Sequence, residues 1–138
     1  MIGTDIVRLA DRFSRRVHIE VTKRTETSEG EPLGPLGSMV LLSLDGEDAV
    51  PLTRVVERVG RDKSQITRTV QVLEENNLLM RTPCRQDRRV LRLSLTEPGR
   101  DKVREMRATI DRVLDEVLVS LSEHEREALR EILQKVRL

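Results

Sequence analysis

Between Lys63 and Gln71 the chain offers Lys63, Ser64, Gln65, Arg68 and Gln71. Between Arg81 and Arg92 it places five arginines in twelve residues, with Asp87 as the sole acid. These side chains are hydrogen-bond donors and acceptors rather than catalysts. Glutamine can pair bidentately with the edge of adenine and arginine with that of guanine, while neighbouring cations can hold phosphate oxygens. The first group is threaded between Ile66, Val70 and Leu73, whose steps of three and four predict a helix with an apolar inner stripe. Its outer face can then enter a major groove edge-on. Lys63 and Ser64 stand at the helix start, where backbone N–H groups and the dipole favour a phosphate. No acid follows Asp62 on this face until Glu74 and Glu75. A helix that is basic early and acidic late opposes its own macrodipole, and a phosphate at the early end accounts for that order. For any one of these residues alone, an ordinary solvated helix face is the competing reading.

Other chemistry finds little support. His18, His124 and the lone Cys84 are too few for a metal site. No Ser/His/Asp grouping, phosphate-binding glycine loop or paired carboxylate site stands out, so neither an enzyme nor a cofactor is expected. One cysteine cannot form an internal disulfide and suits a reducing compartment. Cys84 reads as a passive strand-end residue, although Arg81 and Arg85 nearby could lower its pKa. The first thirteen residues carry charge at Asp5, Arg8, Asp11 and Arg12 and lack a signal-peptide apolar region. No apolar run approaches the roughly 20 residues of a membrane span. A cytoplasmic protein without a membrane partner is expected.

The net charge of +1 hides an asymmetry. From position 49 to position 100 there are eleven Lys/Arg and six Asp/Glu, a balance of +5, which leaves −4 for the rest. A basic middle between acidic flanks points to a polyanion partner for the middle alone. A charge fluctuation with no partner is the alternative.

The elements that must position these groups are legible from periodicity. Ile6, Leu9, Ala10, Phe13, Val17 and Val21 predict an amphipathic helix over about 4–24. The stretch 25–34 is polar and turn-rich and predicts a surface loop. Gly34-Pro35 opens a short buried helix, and Ala49-Val50-Pro51 allows only a very short strand. Leu52, Val55, Val56 and Val59 predict a third helix stopped by Gly60. The fourth, reading helix closes near Asn76-Asn77, where asparagine can take the left-handed conformation. Residues 78–83 and 90–95 read as antiparallel strands joined by "CRQDRR" (84–89). Thr96 caps a long fifth helix with apolar positions at Val103, Met106, Ile110, Val113, Val117 and Leu121, a coiled-coil-like run that asks for a partner helix. Ser122 and Glu125 form a capping box for a last helix presenting Leu129, Ile132, Leu133 and Val136. The fold class is therefore mainly α with a small β wing.

Helix, glycine turn, helix, strand, basic tip and strand form the order of a winged helix-turn-helix. The stretch "LTRVVERVGRDKSQITRTVQVLEENNLLMR" resembles the DNA-reading helix pair of the MarR family of bacterial transcriptional regulators. "DRRVLRLSLTEPGR" is similar to that family's wing and strand-to-helix junction, and "LSEHEREALREIL" to its closing helix. The resemblance runs from about Leu33 onward, with a weaker fit in the first helix. It implies one protomer over 1–138, with a helical dimerisation region at 1–34 and 98–138 and a winged DNA-binding lobe at 35–97. It further implies a homodimer on a pseudo-palindromic operator, with half-sites about 10 bp apart. Carried over, Asp87 orients Arg89 into the minor groove, Arg88 lies nearer the backbone, and Arg61, Lys63 and Arg85 meet phosphates. Ser64, Gln65, Arg68 and Gln71 read the major groove. The family's effector pocket lies between dimer body and reading lobe, and Phe13 and His18 are the residues that could face it here.

The sequence thus leads to a sequence-specific double-stranded DNA-binding regulator, expected to be a repressor, with possible release by a small-molecule effector. Its rival is a winged-helix protein–protein adaptor whose basic face binds an acidic partner or is merely solvated.

Overall fold

The structure, a computed structural model, describes residues 1–25 and 33–136. Most of the expected 25–34 loop therefore lies outside the described residues. The element order is α1 (Ile2–Thr25), α2 (Gly34–Ser43), β1 (Val50–Pro51), α3 (Leu52–Val59), α4 (Lys63–Glu75), β2 (Leu79–Pro83), β3 (Leu91–Leu95), α5 (Glu97–Val117) and α6 (Glu123–Lys135).

Local signals set most boundaries. Pro35 stands in the first turn of α2, where its missing N–H costs nothing. Gly60 ends α3 at φ 68°, a left-handed conformation that glycine adopts freely. Asn77 does the same for α4 at φ 58°. Its N–H bonds the Glu74 carbonyl at 3.0 Å and the Leu78 N–H bonds the Leu73 carbonyl at 2.9 Å, the paired 5→2 and 6→1 bonds of a Schellman ending. At the start of α6, Glu125 N–H donates to Ser122 Oγ at 3.2 Å and Ser122 N–H to Glu125 Oε2 at 2.8 Å, completing the capping box. The fifth helix is shorter than its apolar pattern suggests. It stops at Val117, so Leu121 lies in the following turn, not on the helix. Arg126 of α6 holds this end, donating to Asp115 Oδ1 at 2.7 Å and to the Leu118 carbonyl at 3.1 Å. A cation is well placed at a helix C-terminus.

The strands form one antiparallel sheet in the order β1-β3-β2. Arg81 faces Leu93 and Leu79 faces Leu95 across the β2–β3 pair, and Val50 pairs with Leu93 from the other side. The core lies under this sheet. Leu41 and Leu44 meet Val55, Ile66, Leu73, Leu79, Leu93, Val103 and Met106, all at 2 % exposure or less. Each such aliphatic side chain stabilises the lobe by about 1.5–3 kcal/mol relative to exposure, so the core needs no aromatic residue. Gly99 is the tightest junction: a Cβ built there would sit 1.8 Å from the Leu78 carbonyl oxygen. Thr96 bolts the same corner, donating through Oγ1 to the Asn77 carbonyl at 2.6 Å and accepting from Gly99 N–H at 3.0 Å.

Helices α1 and α6 contain no buried residue. Helix α1 packs on α5 and touches α2. Even so, Ile6, Leu9 and Ile19 are 62 %, 55 % and 45 % exposed.

Candidate nucleic-acid interface

The reading helix α4 turns Ile66, Val70 and Leu73 into the core and exposes Lys63, Ser64, Gln65, Thr67, Arg68 and Gln71. Every residue expected on its outer face is there. Two have partners within the helix: Arg68 Nε approaches the Ser64 carbonyl at 3.4 Å, and Gln71 Nε2 donates to Glu75 Oε1 at 3.2 Å. The helix start is not fully open to an anion. Asp62 caps it, its Oδ1 accepting from Ser64 N–H at 2.9 Å. One first-turn N–H is thus committed to a carboxylate, and a phosphate here would rest on the side chains of Arg61 and Lys63. Arg61, Gln65, Arg68 and Thr69 also line an open cleft of about 450 Å³ against Pro35, Leu36 and Met39 of α2.

The wing tip is a tight turn. Cys84 N–H bonds the Val90 carbonyl at 2.8 Å, and Val90 N–H bonds the Asp87 carbonyl at 3.0 Å. Asp87 accepts from Arg89 three times: from its backbone N–H at 3.1 Å, from Nε at 3.1 Å and from a terminal nitrogen at 3.4 Å. These bonds lower the Asp87 pKa below its ordinary value. The Arg89 side chain is nevertheless 91 % exposed. It is held by its own neighbour while presenting its far edge outward. Arg85 and Arg88 are exposed as well, and among the described residues they make no ion pair.

Arg81 is different. It lies at the base of the wing and is bound to Glu74 of α4 by Nε at 3.1 Å, a terminal nitrogen at 2.8 Å and its backbone N–H at 3.2 Å. The guanidinium keeps the Glu74 carboxyl below the usual carboxylate range. Counted in the sequence as one more wing cation, Arg81 is a structural tie. A glutamate seven residues before an arginine across a predicted turn was the available signal. Cys84 is likewise governed by other neighbours than expected. The backbone N–H groups of Asp87 and Gln86, then Arg92, lower its thiol pKa, rather than Arg81 and Arg85.

A second cavity of about 400 Å³ lies between α1, α2 and α5, with Val17, His18, Val21, Met39, Leu42, Lys102 and Met106 among its walls. His18 lines it. Phe13 does not: it lies more than a helical turn before His18 on α1 and is 36 % exposed. No group of three or more potential metal ligands occurs among the described residues.

Residues 38–91, from α2 to the start of β3, match the model of the MarR family. The whole chain is similar to a MarR-family transcriptional regulator from Rhodococcus sp. RHA1, with 26 % identity, 97 % of this chain and 93 % of that one covered, and a TM-score of 0.83. It is also similar to Bordetella bronchiseptica BpsR, whose DNA binding is regulated by 6-hydroxynicotinic acid (24 % identity, 95 % and 97 % covered, TM-score 0.77). A cysteine-to-serine variant of MarR from E. coli, in complex with operator DNA, shares the fold at 17 % identity over 97 % and 94 % of the two chains, with a TM-score of 0.81. The MarR-family model spans α4 and the wing tip, and the winged-helix fold shared with a MarR-family transcriptional regulator extends along nearly the full chain.

Proposed function

We propose that the protein is a sequence-specific double-stranded DNA-binding repressor that works in the cytoplasm as a homodimer on a pseudo-palindromic operator. The observation that carries this reading is the pairing of two exposed basic surfaces on one lobe: the outer face of α4 and the Asp87-braced Arg89 at the wing tip. In this reading Ser64, Gln65, Arg68 and Gln71 read base edges in the major groove. Arg61, Lys63, Arg85 and Arg88 meet phosphates. Arg89 enters the minor groove, where a narrow A/T-rich stretch attracts a guanidinium electrostatically. The exposed aliphatic side chains of α1 and α6, Ile6, Leu9, Ile132 and Leu133 among them, supply the dimer contact, which brings two lobes to successive half-sites.

Release by an effector rests on the cavity between α1, α2 and α5. Its walls belong both to the proposed dimer body and to the reading lobe, so a ligand that fits one lobe spacing better shifts the population toward it. BpsR, regulated by a small aromatic acid, supports a ligand-responsive reading for this fold. Here Phe13 plays no part in that cavity and His18 does.

Fluorescence anisotropy on the DNA upstream of the protein's own gene tests the proposal. Tight binding that falls steeply with salt through counterion release is expected. Salt-insensitive binding, or none in preference to random duplex, would favour the adaptor reading instead.

A further inference from the structure

The reading helix and the wing must be set at one angle if the first is to lie in a major groove while the second reaches the adjoining minor groove. Chain connectivity alone does not fix that angle. After α4 the chain turns through Asn76 and Asn77 into β2, and β2 is an edge strand, paired only with β3. The outward backbone groups of an edge strand are normally left to water.

Here one is taken. The Arg81 N–H, on the free side of β2, donates to Glu74 Oε2, while the Arg81 side chain grips Glu74 Oε1 through two nitrogens. A single carboxylate therefore holds both the strand edge and the guanidinium that grows from it. Bidentate arginine–carboxylate pairing fixes direction as well as distance, and the added backbone bond removes the remaining hinge. The two side chains are 35 % and 33 % exposed, so the tie is wet on one side and lies away from the buried core. Its value for holding the fold together is correspondingly modest. Its leverage exceeds its stability: the chain runs on from Arg81 to Cys84, about 10 Å at roughly 3.3 Å per residue, so a tilt of about 10° at the clamp moves the base of the wing turn by about 2 Å and the Arg89 side chain beyond it by more. That displacement is enough to withdraw Arg89 from a groove.

We infer that Glu74 and Arg81 are a positioning pair that sets the wing against the reading helix, and so determines minor-groove specificity at the operator flanks without touching DNA. The inference rests on the DNA-binding reading above and assigns a job to two residues that reading leaves out.

The experiment uses the full chain and an operator selected by the wild-type protein from random duplexes. Affinity is measured on that operator, on one with its central bases exchanged, and on one with A/T flanks replaced by G/C. Wild type should discriminate at both places, by about tenfold or more at each. Arg81→Lys keeps the charge but cannot make the fork, and Glu74→Ala removes the acceptor. Each should lose flank discrimination while keeping central discrimination and a melting temperature near wild type. The swapped pair Glu74→Arg with Arg81→Glu should recover part of the flank preference. The inference is overturned if flank and central discrimination fall together in step with melting temperature, or if Arg81→Lys leaves flank discrimination intact. A wild-type protein that selects no operator removes the DNA-binding reading itself, an outcome distinct from a selective wild type with an indifferent clamp.

Discussion

The winged lobe and the outer helices are built from the same aliphatic residues and treat them in opposite ways. In the lobe, Leu41, Val55, Ile66, Leu79 and Leu93 are sealed from water, and what remains outside on α4 and the wing is cationic or amide-bearing. In α1, Ile2, Ile6, Val7 and Leu9 stay more than half exposed, and the charges are largely paired along the helix, as in Arg8–Asp5 and Arg15–Asp11. Monomeric proteins seldom leave long apolar stripes in water. The lobe is complete as a hydrophobic unit and unfinished electrostatically, whereas α1 is the reverse. Each region therefore asks for a different partner, polyanion for one and apolar surface for the other.

One substitution made in both regions gives the largest contrast. Gly99→Ala, where the first turn of α5 packs on the lobe, places a methyl 1.8 Å from the Leu78 carbonyl oxygen, and backbone cannot yield as a side chain tip can. A loss of about 3 kcal/mol or more is expected, at or beyond the upper end for overpacking. Gly3→Ala on α1 meets nothing within 4 Å and should be neutral or slightly stabilising, since alanine favours a helix over glycine by about 0.5–1 kcal/mol. Urea unfolding of the two variants reads the difference, and similar losses in both would break the contrast.

The next effect concerns association. Leu9→Lys adds a charge to the exposed stripe of α1 without touching the lobe core. Light scattering after gel filtration should show a shift from dimer to monomer, with the melting temperature becoming less dependent on protein concentration. A variant that remains dimeric would place the apolar contact elsewhere. On the lobe, Arg68→Ala should cost about 1–3 kcal/mol of operator affinity and relax the preference at one base position, whereas Lys63→Ala should weaken all sequences alike. Anisotropy on base-substituted duplexes separates the two patterns. Smaller still is Ser122→Ala, which removes the cap oxygen that Glu125 N–H reaches at 3.2 Å. About 1 kcal/mol of stability should go, read by thermal or urea unfolding.

These regions were not equally readable in the sequence. Wherever a residue acts on the backbone of its own few neighbours, its type declared its role: Gly60 and Asn77 at the left-handed stops, Thr96 and Ser122 at the caps. The period of Ile66, Val70 and Leu73 gave the facing of α4 for the same reason, because a helix fixes its own geometry. What stayed hidden depends on how elements meet. Arg81 counted as one more wing cation until β2 brought it back against Glu74. Leu121 continued an apolar rhythm that the chain abandons at Val117. Phe13 was named beside His18 for the effector pocket, but which turn of α1 meets the cavity depends on how that helix crosses α2 and α5.

The finest test of the contrast is Asp87→Asn, since it acts at the wing tip, as far from any core as the lobe allows. The carboxylate accepts three bonds from Arg89, whose side chain is otherwise open to solvent. An exposed pair of this kind adds little to stability, so no resolvable change in melting temperature is expected near neutral pH. Binding should change instead, because a neutral amide directs the guanidinium less firmly. Affinity should fall, by less than in Arg89→Ala, and the loss should be confined to operators with A/T flanks. The pH dependence has a definite sign. Arg89 depresses the Asp87 pKa, so the brace is intact above the ordinary carboxylate value of about 4 and is lost as pH falls through the lower folded value. Between pH 6 and pH 8, to choose a convenient window above about 4, the difference between wild type and variant should therefore stay constant. A marked drop in melting temperature on Asp87→Asn would show that the wing tip helps hold the lobe together, and would erase the division between a finished core and an unfinished charged surface.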